Sequence, residues 1–299
     1  MEVSVIVPTY NGEKKIPVLL NALLEQTFQD FELIIAVDGS TDNTLAVVSS
    51  FSSRFSKMRL VVQENRGRAA IRNRGVLESS GTLLVFFDDD MKPESDSLSK
   101  HIRFHEAHPE CVLSGNQMEY TSSKKTDIQN YKARLAQKWV SKYSPGENLL
   151  SRQDIFLTAA NMSVPRKVFD KLNGFDERLT DAEDYALACH AIENGIQVFF
   201  DRENIALHKE DLTCAHYINR IRQYKTAQMK LKLIQSHYPS QQERSNFFKR
   251  LIYRFFAFSV WPKIIDQNKL IFLPRVVRYK LYDIVIQSLG VEFPYIKIG

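Results

Sequence analysis

The first third of the chain moves between two hydrophobic rhythms. "VSVIVP" (3–8), "FELIIAV" (31–37), "MRLVVQ" (58–63) and "TLLVFF" (82–87) are short, mostly apolar runs rich in β-branched residues. All four read as strands, and the first has the pattern of a strand buried on both faces. Between the first two, Ile16, Leu19, Leu20, Leu23 and Leu24 repeat at helical spacing. Helices are also predicted over 43–53 and about 67–80. Pro8 and Gly12 end the first strand, and "DGSTDNT" is a polar turn in which Ser40, Thr41 or Asp42 caps the helix after it. Strand and helix alternating at this spacing predict an α/β fold with a doubly wound parallel sheet. Ligands of such sheets bind beyond the carboxyl ends of the strands. The polar clusters at 9–13, 38–42, 64–68 and 88–90 lie there.

The rhythm is weaker in the middle. Residues 121–153 read as a loop with one helix around Tyr131 to Tyr143. "NMSVPRKVFDKLNGFDE" (161–177) reads as a strand, a short helix opening near Pro165, and a turn ended by glycine. A helix over 182–195 and the strand "IQVFFD" follow. Beyond about residue 215 the pattern becomes amphipathic and basic. Phe247, Phe248, Leu251, Ile252, Phe255 and Phe256 share one helical face, with Lys249, Arg250 and Arg254 on the other. "KLIFLPRVVRYKLYDIVIQSLG" (269–290) repeats the combination, broken at Pro274. The expected organisation is an α/β domain over 1–215 and a basic helical extension over 216–299. That extension either caps the first domain with its apolar face or associates with an anionic membrane surface.

Charge sharpens this division. The formal net charge of +5 conceals 15 Lys and Arg against 4 Asp and Glu in 216–299, a net +11, while 1–215 carries −6. No nucleic-acid recognition motif accompanies the basic segment. Cys111, Cys189 and Cys214 are far apart with no C-x-x-C pair, so neither a disulfide framework nor a thiolate metal site is expected. The opening "MEVSVIVPTYNGEKK" lacks a basic-then-apolar leader. No apolar run reaches the roughly 18 residues that would span a bilayer. A cytoplasmic protein, or one peripheral on the inner face of a membrane, is expected.

Asp88, Asp89 and Asp90 carry the strongest chemical signal. Aspartates in turns commonly cap helices and sit in water, but here an apolar strand delivers three of them to the ligand-binding edge. A divalent cation would relieve their repulsion. Mg²⁺ and Mn²⁺ are commonly held by one or two carboxylates together with substrate phosphates. "ENRGRAAIRNRG" (64–75) places Arg66, Arg68, Arg72 and Arg74 about a helix start, where phosphate is favoured. A second acidic group, "DAED" (181–184), suits a base that removes a hydroxyl proton.

Four motifs in order resemble family 2 glycosyltransferases, inverting nucleotide-sugar enzymes with the GT-A fold. They are "VSVIVPTYNGEKKI", "DGSTDNT", "ENRGRAAIRNRGVLESSGTLLVFFDDD" and "GFDERLTDAEDYAL". The resemblance implies a GT-A-like, doubly wound, mostly parallel sheet flanked by helices, with the C-terminal helices as an extension. It implies that Pro8, Thr9, Tyr10 and Glu13 line a nucleotide pocket with Asp38 near a uracil edge. Asn65 and Arg72 would approach base or diphosphate, and Asp88 and Asp89 the ribose and sugar. Asp90 and His208 would hold Mn²⁺ or Mg²⁺. Asp184 would be the base, with Glu183 beside it. The donor implied is a UDP-sugar, and the acceptor a hydroxyl of a glycan or lipid-linked glycan. His101 and His105, four apart on an expected helix, receive no role.

Two departures matter. Val37 stands where relatives often have the first of two aspartates, which leaves Asp38 alone. Ala182 precedes Glu183 where processive members commonly carry a hydroxyl residue, and no Q-x-x-R-W pattern occurs. Single addition is therefore expected. The competing readings are a non-catalytic nucleotide-sugar-binding module and a nucleotidyltransferase, although "PTYNGEKK" lacks the Gly-rich basic loop of the latter. No G-x-G-x-x-G follows the first strand, which argues against NAD.

Overall fold

A computed structural model describes residues 2–120, 126–209, 212–234 and 247–298. The chain runs β1 (Val3–Thr9), α1 (Ile16–Leu24), β2 (Phe31–Asp38), α2 (Thr44–Ser50), β3 (Met58–Gln63), α3 (Arg68–Leu77) and β4 (Leu83–Phe87). It continues through β5 (Met91–Pro93), α4 (Ser97–Ala107), β6 (Val112–Glu119), α5 (Asp127–Val140), β7 (Glu147–Leu149), β8 (Asn161–Pro165), α6 (Arg166–Lys171), α7 (Glu183–Glu193) and β9 (Val198–His208). Four helices follow: α8 (Cys214–Ile234), α9 (Phe247–Phe255), α10 (Val260–Asp266) and α11 (Arg275–Gln287). Two compact units result, one of Met1–Tyr120 with Lys138–Lys209, the other of Thr121–Gln137 with Glu210–Gly299.

The first unit holds one sheet in the order β3-β2-β1-β4-β8-β6-β9-β5, with β7 beside β9. β3, β2, β1 and β4 are parallel, as the alternating pattern predicts. The remaining long ladder, β6 with β9, is parallel too, while the shorter pairings of β4–β8, β6–β8, β5–β9 and β7–β9 are antiparallel. The continuous apolar strands have a simple cause. Val5 and Val7 of β1 pack into a cluster with α1 residues Leu19 and Leu23, while Ile6 between them joins a cluster with Phe86 and Phe175. Successive side chains of a strand face opposite ways, so a two-sided sheet needs every position apolar.

Several elements lay outside the sequence pattern. β5 is only three residues long, and β9 runs on to His208, beyond the "IQVFFD" segment. The helix expected around 131–143 begins earlier, at Asp127. His101 and His105 are buried on α4: His101 reaches Ser163 (2.7 Å) and Asn161 (2.9 Å), and His105 reaches Ser163 (2.8 Å). Burial holds both imidazoles well below their ordinary value, at about 4 and about 3. Their role is packing, in keeping with the absence of any motif around them.

The second unit centres on Ile128, Tyr131, Ile218, Tyr282, Val285 and Leu289. α11 buries one face there, including Tyr279, Tyr282, Val285 and Ile286. α9 buries none of its residues. Among the described residues, no helix is long and apolar enough to cross a membrane.

Candidate active site

The loops after β1, β2, β3 and β4 meet at one edge of the sheet. The β1 loop is tied to the β2 turn: Gly12 N–H donates to Thr44 Oγ1 (2.8 Å), Glu13 N–H to Asp42 (3.2 Å), and Thr41 N–H to Asn11 Oδ1 (2.8 Å). The β2 turn is tied to the β3 loop through Asp38. One of its carboxylate oxygens accepts Gln63 Nε2 (2.8 Å) and Arg66 N–H (2.9 Å), and the other accepts Gly67 N–H (2.9 Å). Gly67, the cap before α3, has φ of 91°, a backbone position that favours glycine. Thr9 Oγ1 donates to Asp89 Oδ2 (2.6 Å), joining β1 to the triple aspartate.

These ties enclose a cleft of about 280 Å³. Pro8, Thr9, Tyr10, Asp38, Asn65, Arg72, Asp88, Asp89 and Asp90, all expected to meet the donor or its metal, line it. Lys15, Gly67, Arg68 and Ile71 also line it. Glu13 does not; its carboxylate instead accepts Asn43 N–H (3.1 Å), bracing the β2 turn. Asp38 lines the cleft with its carboxylate already engaged by three loop donors. Val37, where relatives place an aspartate, is fully buried in the core.

Arg72 is the centre of the charge arrangement. It is 3% exposed. One end of its guanidinium donates to Glu183 Oε1, the other to Asp88 Oδ1 (2.5 Å). The ring of Phe175 lies 5.8 Å from its guanidinium carbon. Burial opposes its charge, but Asp88 and Glu183 more than offset this and raise its pKa above the ordinary value. Arg72 thus lines the cleft with its two ends held by carboxylates, and Nε is its buried nitrogen without a partner.

The acidic pair lies on the other side of Arg72. Ala182 precedes α7 with φ of 61°, in the left-handed region, and its N–H is held by Asp181 Oδ1 (2.8 Å). Glu183 is buried. Asp184 accepts N–H groups from Ala159 (3.2 Å) and Tyr185 (2.7 Å). Burial, and then the like charge of Glu183, push the Asp184 carboxyl up to about 7; Arg72 and the two N–H groups offset part of this.

Asp90 and His208 also come together, with His208 Nε2 3.2 Å from Asp90 Oδ2. The other ring nitrogen faces Glu119 at 3.2 Å. Burial disfavours charge on His208, yet the hydrogen bonds to Asp90 and Glu119 hold its pKa up to about 9. The donor set suits a divalent cation: an aspartate oxygen, an imidazole nitrogen, and a carboxylate orienting the imidazole from behind. Among the described residues no three His, Cys, Asp or Glu side chains are arranged to hold a metal ion by themselves. A cation here would take its remaining oxygens from a phosphate ligand or water. Burial also pushes Asp89 up to about 6, with Asp90 and Asp88 adding to the rise and Thr9 and Lys15 opposing it.

Lys15 and Glu119 were not apparent from the motifs. Lys15 lies in "NGEKK", where two adjacent lysines resemble an ordinary solvated pair. Glu119 reaches His208 across 89 positions, so no spacing announces the contact.

The glycosyl transferase family 2 model matches residues 4–172, from the first strand through the helix after β8. An uncharacterised glycosyltransferase of Bacillus subtilis, YfnE, is 37% identical over 119 residues, or 38% of this chain and 30% of that relative. The chain also spans less than two thirds of two further curated relatives. Among solved structures, the mannosyltransferase PcManGT of Pyrobaculum calidifontis, with GDP-Man and Mn²⁺, superposes with a TM-score of 0.64 at 18% identity, covering 98% of this chain and 87% of that one. TarS 1–349 of S. aureus, in complex with UDP, gives 0.57 at 18% identity and covers 98% and 90%. At that identity the structures speak for the fold, which is GT-A-like. The family match takes in more than half of the sequence and every loop of the cleft. The chain belongs to glycosyltransferase family 2.

Proposed function

We propose that this protein transfers a sugar from a UDP-sugar to a hydroxyl of a glycan or lipid-linked glycan, with inversion and one addition per encounter. The acceptor would be met from a cytoplasmic position peripheral to an anionic membrane. The observation that carries this reading is Arg72, which links Asp88 in the cleft to Glu183 beside Asp184. It couples a place for the donor to a place for the base. UDP is favoured because the cleft motifs resemble uridine-binding ones.

In this mechanism Asp184 accepts the proton of the acceptor hydroxyl as that oxygen attacks the anomeric carbon. The new carbon–oxygen bond forms on the face opposite the breaking bond, and the nucleoside diphosphate departs with the electron pair. A carboxyl held near 7 suits a general base at neutral pH. Asp88 and Asp89 orient ribose and sugar, and Thr9 fixes the Asp89 carboxyl for that purpose. Lys15 and Arg68 bring positive charge to the cleft that receives the diphosphate. Asp90 and His208 would hold a divalent cation, which would supply charge neutralisation for the leaving diphosphate.

The test is incubation with a panel of nucleotide sugars and Mn²⁺ or Mg²⁺, with released nucleotide as the readout. Turnover of one UDP-sugar above the others is expected. Asp184→Asn should retain donor binding and lose about 10²- to 10⁴-fold in rate. Wild-type rates in that variant would remove Asp184 from the mechanism.

A further inference from the structure

Helix α9 carries its apolar side chains on the outside. Phe247, Phe248, Leu251, Ile252 and Phe255 are each between 50% and 77% exposed, and none of the nine residues of α9 is buried. Positions 247, 251 and 255, with 248 and 252 beside them, form one continuous stripe at helical spacing. The helix is attached to its own unit from the opposite side. Tyr253, which lies behind the stripe, accepts a hydrogen bond from Ser288 Oγ on its carbonyl (2.6 Å). Just past the helix, Phe256 stacks on Trp261 at 5.0 Å.

Exposure on this scale continues in the same unit at Phe258, Ile271, Phe272 and Val276. Soluble surfaces rarely leave a helical stripe of three phenylalanines, a leucine and an isoleucine in water without a partner. The charge of the segment says which partner. Residues 247–277 contain six Lys and Arg and one acidic residue, Asp266, whose carboxylate accepts Cys214 N–H (2.6 Å). Arg250, Arg254, Lys263 and Lys269 are exposed. A second copy docking through this face would bring two cationic surfaces together, whereas an anionic lipid surface satisfies both the aromatic stripe and the cations. A helix with a strongly apolar face, flanking cations and low net hydrophobicity is built to lie in a bilayer interface.

We infer that α9 inserts its Phe247–Leu251–Phe255 face into an anionic leaflet, with Arg250, Arg254 and Lys263 meeting the phosphate headgroups. This specifies the membrane contact of the function proposed above, and it depends on the peripheral placement in that reading but not on its transfer chemistry.

Sedimentation of the full chain with vesicles tests it. Binding to phosphatidylcholine vesicles containing phosphatidylglycerol is expected, weakened by salt and at least tenfold weaker on phosphatidylcholine alone. Phe247→Ser combined with Phe255→Ser should abolish sedimentation while leaving the circular dichroism spectrum unchanged, because the two side chains are 77% and 69% exposed. Arg250→Gln and Arg254→Gln should each weaken binding by about fivefold, the equivalent of about 1 kcal/mol per charge. Absence of vesicle binding by the wild type, or binding indifferent to the Phe substitutions, would overturn the inference. So would light scattering that shows a dimer lost in the Phe variant without vesicle binding by the wild type. Nucleotide release without vesicle binding sinks the membrane inference and the peripheral placement but leaves the transfer chemistry standing, and vesicle binding without turnover of any donor sinks the transfer chemistry alone.

Discussion

Asp184 sits between influences of opposite sign. Burial and Glu183 raise its proton affinity, while Arg72 and two N–H donors lower it, and the carboxyl stands at about 7. In the proposed role of base it works only when deprotonated, so the rate should fall as pH drops through 7. Glu183→Gln removes the like charge and keeps an oxygen for Arg72. The Asp184 pKa then falls, and the acidic limb of kcat/KM against pH should move down by about one unit. An unmoved limb in that variant would show that Asp184 is not the group titrating. The three aspartates and the acidic pair were legible as chemistry because an apolar strand and a helix start present them. What joins them was not. Arg72 contacts Asp88 at a separation of 16 residues and Glu183 at 111, so no spacing announced that one guanidinium holds both carboxylates.

β1, β2 and β4 were readable because each buries both faces, whereas β3, at the sheet edge, leaves Leu60 and Val62 exposed and was readable from its β-branched run alone. The loops themselves depend on close approaches that no periodicity reveals. Gly12 is the sharpest case. A Cβ there would lie 2.2 Å from Thr9 Oγ1 and 2.6 Å from Asp89 Oδ2, within the hydrogen bond that orients Asp89. Gly12→Ala must displace one of these groups. Because the conflict is at the cleft and not in the core, the main effect should be on donor binding. A rise in UDP dissociation constant of about tenfold is expected, with a stability loss of about 1–3 kcal/mol. Titration calorimetry and denaturant unfolding separate the two, and unchanged UDP affinity would show that the Thr9–Asp89 contact does not shape the donor site. β5 and the end of β9 were missed for a related reason: a three-residue strand has no period to detect, yet it sets Met91 beside His208.

At the scale of the whole chain, the shift to positive charge and aromatic amphipathic helices marked a C-terminal unit, but it could not show that an earlier segment belongs with it. Asp127, at the start of α5, accepts two hydrogen bonds from Arg278 (2.7 and 3.0 Å) and one from the Tyr282 hydroxyl (2.8 Å). Tyr131 donates to Asp283 and lies edge-on to Tyr279 and Tyr282. These contacts span about 150 residues, and the sequence boundary at 215 and 216 cuts between the partners. Arg278 is 8% exposed and spends its remaining donor on the Ile271 and Leu273 carbonyls. Removing its counter-ion leaves a buried charge uncompensated, which costs about 3–5 kcal/mol. Asp127→Ala should therefore strip hydrogen-exchange protection from α11 while the strands of the first unit keep theirs. Replacing both partners, Asp127→Ala with Arg278→Met, removes the charge as well as its partner and should restore much of the protection. Full protection of α11 in the single variant would mean that the apolar cluster alone holds the second unit together.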